Sequence, residues 1–157
     1  MKRILVLLSQ VALIGIGISA FIFMLYEPHL EGRNVHATFF EVYFNDPFLL
    51  CAYIASIPFF MMLYQKFLLL GYIRHNTLFS VAGMKATRII RYCATSLVGF
   101  AVVGEIYLFI FQRGKDDIAG GVFMGLLIIF FFGATSIVAT YFEKTITTKS
   151  RLDSNTP

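Results

Sequence analysis

A single carboxylate, Glu105, stands inside the apolar run Ile89 to Phe111. It lies about six residues from the end of that run, so about 9 Å deep at 1.5 Å per residue. A carboxylate surrounded by hydrocarbon is costly and is by default a functional-site hypothesis. Its chemistry would be to hold a proton, a cation or a basic ligand. The structural alternatives are an acid that keeps its proton, or a side chain reaching up to Arg113 or Lys115. No second acid lies within an apolar run, so one chain cannot form a relay of several carboxylates.

A second constellation is basic. Residues 74–91 carry Arg74, Lys85, Arg88 and Arg91 and no acid. Lys85, Arg88 and Arg91 recur three apart, which gathers them roughly on one helix face. A contact surface for a partner or for anionic headgroups is the function such a face could serve. A third feature, Gly121-Val122-Phe123-Met124-Gly125, has the small-xxx-small spacing that lets membrane helices approach closely. It would pack inside a bundle or join two copies. His29 and His36, with Glu27, Glu31 and Glu41, match no metal-ligand spacing, and zinc needs three or four convergent ligands. No phosphate-binding glycine loop, HExxH or Ser/His/Asp arrangement occurs. We therefore expect no enzyme, no metal and no cofactor.

The elements that must position these residues follow from composition. The chain has 157 residues, 58% hydrophobic and 14% charged, with mean hydropathy +0.76. Soluble domains average about 45–50% apolar and about 25% charged. The excess falls into four runs near the ~20 residues needed to cross a bilayer. The expected spans are about 4–26, 47–73, 89–111 and 118–142, one all-α four-helix membrane bundle over residues 1–142. Residues 143–157 form a polar tail without apolar periodicity, expected to be disordered.

Met1-Lys2-Arg3 leads straight into Ile4 to Tyr26. That run is far longer than the ~7–15 apolar residues of a secretory signal, so it reads as an uncleaved anchor. Residues 27–46 make an acidic loop containing the aromatic stretch 39–44, whose strand or interfacial nature periodicity cannot decide. Pro47 suits the first turn of the second helix, and Pro58, inside it, predicts a kink. Lys66 is placed to snorkel toward headgroups. Ser80 reads as an N-cap from which helix resumes at Val81. Cys51 and Cys93 should lie toward opposite membrane faces, too far apart for a bridge.

Charge bias orients the bundle. With Met1 inside, Lys2, Arg3, Lys66, Arg74, Lys85, Arg88, Arg91, Lys144, Lys149 and Arg151 lie inside, and only Arg33, Arg113 and Lys115 outside. Ten basic residues against three put both termini in the cytoplasm, in a cell inner membrane. The formal net charge of +4 then faces anionic lipid rather than nucleic acid.

The segment from about Phe48 to Lys149 resembles a bacterial family of small four-span membrane proteins catalogued as domain of unknown function 2975. The resemblance is carried by Ala55-Ser56-Ile57-Pro58-Phe59-Phe60 with Leu63-Tyr64-Gln65, then Tyr72-Ile73, Phe79-Ser80, Lys85 and Arg88-Ile89-Ile90-Arg91-Tyr92-Cys93. The Asp116-Asp117 turn before a Gly-rich fourth span completes it. Members of that family are often encoded beside a small helix-turn-helix DNA-binding regulator. The resemblance thus implies an accessory, sensory or regulatory membrane partner of such a regulator. A different class, the subunit of an oligomeric transporter or channel, would use Glu105 and the Pro58 region to line a path.

Overall fold

Hydrocarbon gives the backbone no partner, so each spanning segment must satisfy its own hydrogen bonds as a helix. The computed structural model describes residues 2–30, 47–112 and 119–155, all but the short hinge in helical conformation. Helix α1 is Lys2–Leu30, α2 is Pro47–Arg74 and α3 is Val81–Tyr107. A π-helical turn, Leu108–Gln112, prolongs α3, and α4 is Ala119–Asn155. All four are long and apolar enough to cross a membrane. Large side chains face outward along them, with Val11 66%, Ile110 66% and Phe130 77% exposed. Soluble monomers rarely show continuous apolar surface on this scale, and lipid is its natural solvent. The loop 31–46, including the aromatic stretch 39–44 and His36, lies outside the described residues, as do Arg113 and Lys115.

Successive helices run antiparallel. Gln10 Nε2 donates to Phe67 O at 3.3 Å, and Tyr53 Oη to Met24 O at 2.8 Å, tying both ends of α1 to α2. Between α3 and α4, Thr95 and Ser136 hydroxyls lie 2.9 Å apart. The Thr95 proton goes to Arg91 O, so Ser136 is the donor of that interhelical bond. The α3–α4 interface is the most extensive in the bundle. Met62 of α2, Ile90, Cys93, Ala94 and Leu97 of α3, and Phe132 and Ala139 of α4 form the core. Small side chains at 94 and 139 let the backbones approach. Both cysteines are free, Cys93 in that core and Cys51 toward the far end of α2. Threonines inside helices are accommodated because hydroxyls such as Thr87, Thr135 and Thr140 donate to the carbonyl four residues back.

The hinge between α2 and α3 is built from two caps. Asn76 takes a left-handed conformation at φ 57. Thr77 N–H then reaches Tyr72 O and Asn76 N–H reaches Ile73 O, a Schellman closure with asparagine where glycine is commoner. Ser80 has extended backbone and its Oγ accepts from Gly83 N–H, the N-cap read from the sequence. Gly83 is required here, because a Cβ would collide with the Leu78 carbonyl oxygen. Helix α2 continues through Pro58 without a break in its helical residues.

The tail departs from expectation. Helix α4 extends to Asn155, through residues expected to be disordered. Phe132, Ala139 and Ile146, spaced by seven, are all buried. They form one stripe that polar neighbours hide from average hydropathy. Lys149 Nζ sits 4.1 Å above the Phe79 ring, which brings this part of α4 to the hinge. With 37 residues, α4 is about 55 Å long. That exceeds the ~30 Å hydrocarbon thickness, so its last turns stand clear of the bilayer beside the first turns of α3.

Candidate functional site

Glu105 sits two residues before the end of α3, where the helix loosens into its π-turn. The Leu108 N–H is shared between Gly104 O and Glu105 O. Such π-segments appear mostly as local insertions in helices, frequently at functional sites. The carboxylate turns inward and is 9% exposed. Its seat is made by α4: a Cβ at Gly125 would overlap Glu105 Oε1, so only glycine leaves room there. One turn earlier, a Cβ at Gly121 would come within 3.2 Å of Leu108 Cδ1. The two glycines read as a packing pair therefore face α3, one against the carboxylate and one against the turn that follows it.

Glu105 Oε2 is buried and has no hydrogen-bond partner. Glu105 is among the residues lining a cavity of about 470 Å³ to which all four helices contribute, including Ala20, Ala55, Leu97 and Ile128. The walls are apolar. Among the described residues lining it Glu105 is the one charged group, with the Ser56 hydroxyl and Cys51 thiol the other polar ones. Ser56 Oγ donates to Tyr53 O at 2.6 Å, so its proton is already committed. An unpaired buried carboxylate is expensive, and this one belongs to a residue that lines an open volume. Among the described residues no three His, Cys, Asp or Glu side chains converge on a metal position.

The basic constellation lies at the opposite end of the same two helices. Arg88 Nε donates to Glu143 Oε1 at 2.8 Å, and Arg91 Nε lies 3.0 Å from Glu143 Oε2. The second contact is an ion pair without hydrogen-bond alignment, and the Arg91 guanidinium also covers the Tyr92 ring at 4.7 Å. Hydrogen bonding to Glu143 and its charge thus hold these two cations on the ledge of α3 and α4 beside the hinge. Arg74, at the end of α2, and Lys85, in the first turns of α3, are exposed on the same ledge. Lys66 lies about two turns before the end of α2. Its ammonium is 5.9 Å from the Phe131 ring centre, at a second cavity of about 410 Å³ between α2, α3 and α4.

Two functional features were missed by sequence reasoning. Composition assigns Glu143 to the polar tail, although its position one residue beyond an apolar run opposite a basic one hints at pairing. Gly83 carried no sequence signal beyond being a glycine three residues after a cap. The His29 and His36 group falls outside the residues whose side chains are described.

The fold and the lipid-facing surface define a class, the small multi-pass membrane protein with a four-helix bundle. Within it, the chain belongs to the family described as protein of unknown function DUF2975, which matches residues 36–147. It is 30% identical over 145 residues to YoaS, an uncharacterized membrane protein of Bacillus subtilis strain 168. That similarity covers 92% of this chain and 90% of YoaS. No solved structure matches the chain.

Proposed function

We propose that this chain is a sensory accessory protein of the cell membrane, and that its cytoplasmic ledge binds a small helix-turn-helix regulator. One observation carries the reading. Helices α3 and α4 hold the Glu105–Gly125 contact at one end and the Arg88/Arg91–Glu143 pairing at the other. A shift of one helix against the other, driven at the cavity, would repack the ledge as well. Shifts of about 1–2 Å between packed helices are an ordinary switching motion. The ten-to-three bias of lysine and arginine supports a cytoplasmic position for the ledge. The identity of the partner rests on the gene arrangement that the family resemblance implies, and its contact surface comprises Arg74, Lys85, Arg88 and Arg91. Catalysis and direct nucleic-acid binding form no part of this role.

The test is fractionation of cells that express the neighbouring regulator with and without this chain. Retention of the regulator at the membrane only when the chain is present supports the proposal. An unchanged distribution overturns it. A second reading, a subunit of an oligomeric transporter or channel, is favoured by the carboxylate on a cavity wall. That reading requires Glu105→Gln to reduce flux in liposomes.

A further inference from the structure

The Glu105 cavity presents two unmet requirements at once. Its volume, about 470 Å³, is lined by apolar side chains of four helices, within the range of small-molecule sites. Its charge is a carboxylate oxygen, Oε2, buried and without a partner. A proton alone would neutralise the charge and leave the volume. A lipid acyl chain alone would fill the volume and leave the oxygen unpaired. Among the described residues lining the cavity none is cationic, and an occupant that carries a positive charge would meet both requirements at once.

The seat also limits the number and kind of donors. Oε1 occupies the space that a Gly125 side chain would take, which leaves Oε2 as the oxygen without a partner. That oxygen needs an N–H donor, and a buried charge-assisted bond is the strong form of such contacts. A quaternary ammonium supplies charge without the donor.

We propose that this cavity binds a lipophilic primary or secondary ammonium, its apolar body among Ala55, Leu97 and Ile128 and its N–H on the Glu105 carboxylate. The proposal deepens the sensory reading and rests on it for its purpose. The binding assay involves no regulator, so site and partnership can fail separately.

The assay uses the full chain in nanodiscs of zwitterionic lipid and equilibrium binding of radiolabelled 1-adamantanamine. The neutral 1-adamantanol serves as a partner of matched shape. The wild-type protein should prefer the amine by about tenfold or more, the value of one charge-assisted hydrogen bond. Glu105→Gln should abolish the preference. Ala52→Leu provides a check that leaves the carboxylate intact: Ala52 lines the cavity and is exposed, so a larger side chain narrows the space without disturbing the core. It should weaken binding of both molecules. Equal affinity for amine and alcohol in the wild type would identify a neutral acid in an apolar pocket and overturn the proposal. Retention of the preference by Glu105→Gln, or unchanged binding in Ala52→Leu, would overturn it equally.

Discussion

Replacing Gly125 with alanine tests the carboxylate seat through stability. The added methyl would overlap Glu105 Oε1 and lie 2.6 Å from its Cδ and 3.2 Å from its Cγ. Either α3 and α4 separate or the carboxylate swings away. Overpacking of this kind costs about 1–3 kcal/mol. Against it stands a gain in helix propensity of up to about 1 kcal/mol for Gly→Ala in a helix interior. Gly125→Ala should therefore destabilise the native bundle by about 1 kcal/mol or slightly more. In a Glu105→Ala background the obstructing atoms are gone, and the same change should become neutral or mildly stabilising. The coupling from the double-mutant cycle should be about 1–3 kcal/mol. Reversible unfolding in mixed micelles titrated with a denaturing detergent measures it. Gly133→Ala is the control, since a Cβ there meets nothing within 4 Å. A coupling below about 0.5 kcal/mol would mean the two positions act independently, and the seat described here would be wrong.

Gly83→Ala should be more damaging than Gly125→Ala in the same unfolding assay, by more than about 2 kcal/mol, because its methyl meets the Leu78 backbone carbonyl rather than a movable side chain. Gly99→Ala, with open space around it, should be near neutral. Ser80→Ala should cost about 1 kcal/mol by leaving the Gly83 N–H without its cap, and Ser80→Asp should restore most of it. Glu143→Gln should lower the melting temperature, and the loss should shrink in about 1 M salt because the Arg88 side of the pair is exposed to solvent. A salt-independent loss would show that Glu143 acts through packing instead.

The parts of this fold visible in the sequence are those fixed by local physics. Four apolar runs must become helices in hydrocarbon, Ser80 before Val81 is a cap, and Glu105 is conspicuous because nothing near it in the chain is charged. What stayed hidden depends on register between helices. That Glu105 meets Gly125 follows from how α3 and α4 align across a connection whose length alone does not set their rotation. Glu143 lies 55 residues from Arg88, so their pairing needs the same register. The helical extension through Ile146 was obscured because threonine and lysine lower the average hydropathy while one buried residue per two turns keeps the stripe going. Asn76 escaped notice because a left-handed cap at a non-glycine residue leaves no composition signal.

The account turns on which side of the membrane carries the ledge formed by α3, α4 and the hinge. Lys144 is exposed there, next to Glu143. A single cysteine introduced as Lys144→Cys, in a Cys51→Ser and Cys93→Ala background, can be probed with a membrane-impermeant maleimide. A cytoplasmic ledge gives no labelling in intact cells and full labelling once the membrane is opened. Labelling of intact cells would place the ledge outside, beyond the reach of any cytoplasmic regulator, and would contradict it.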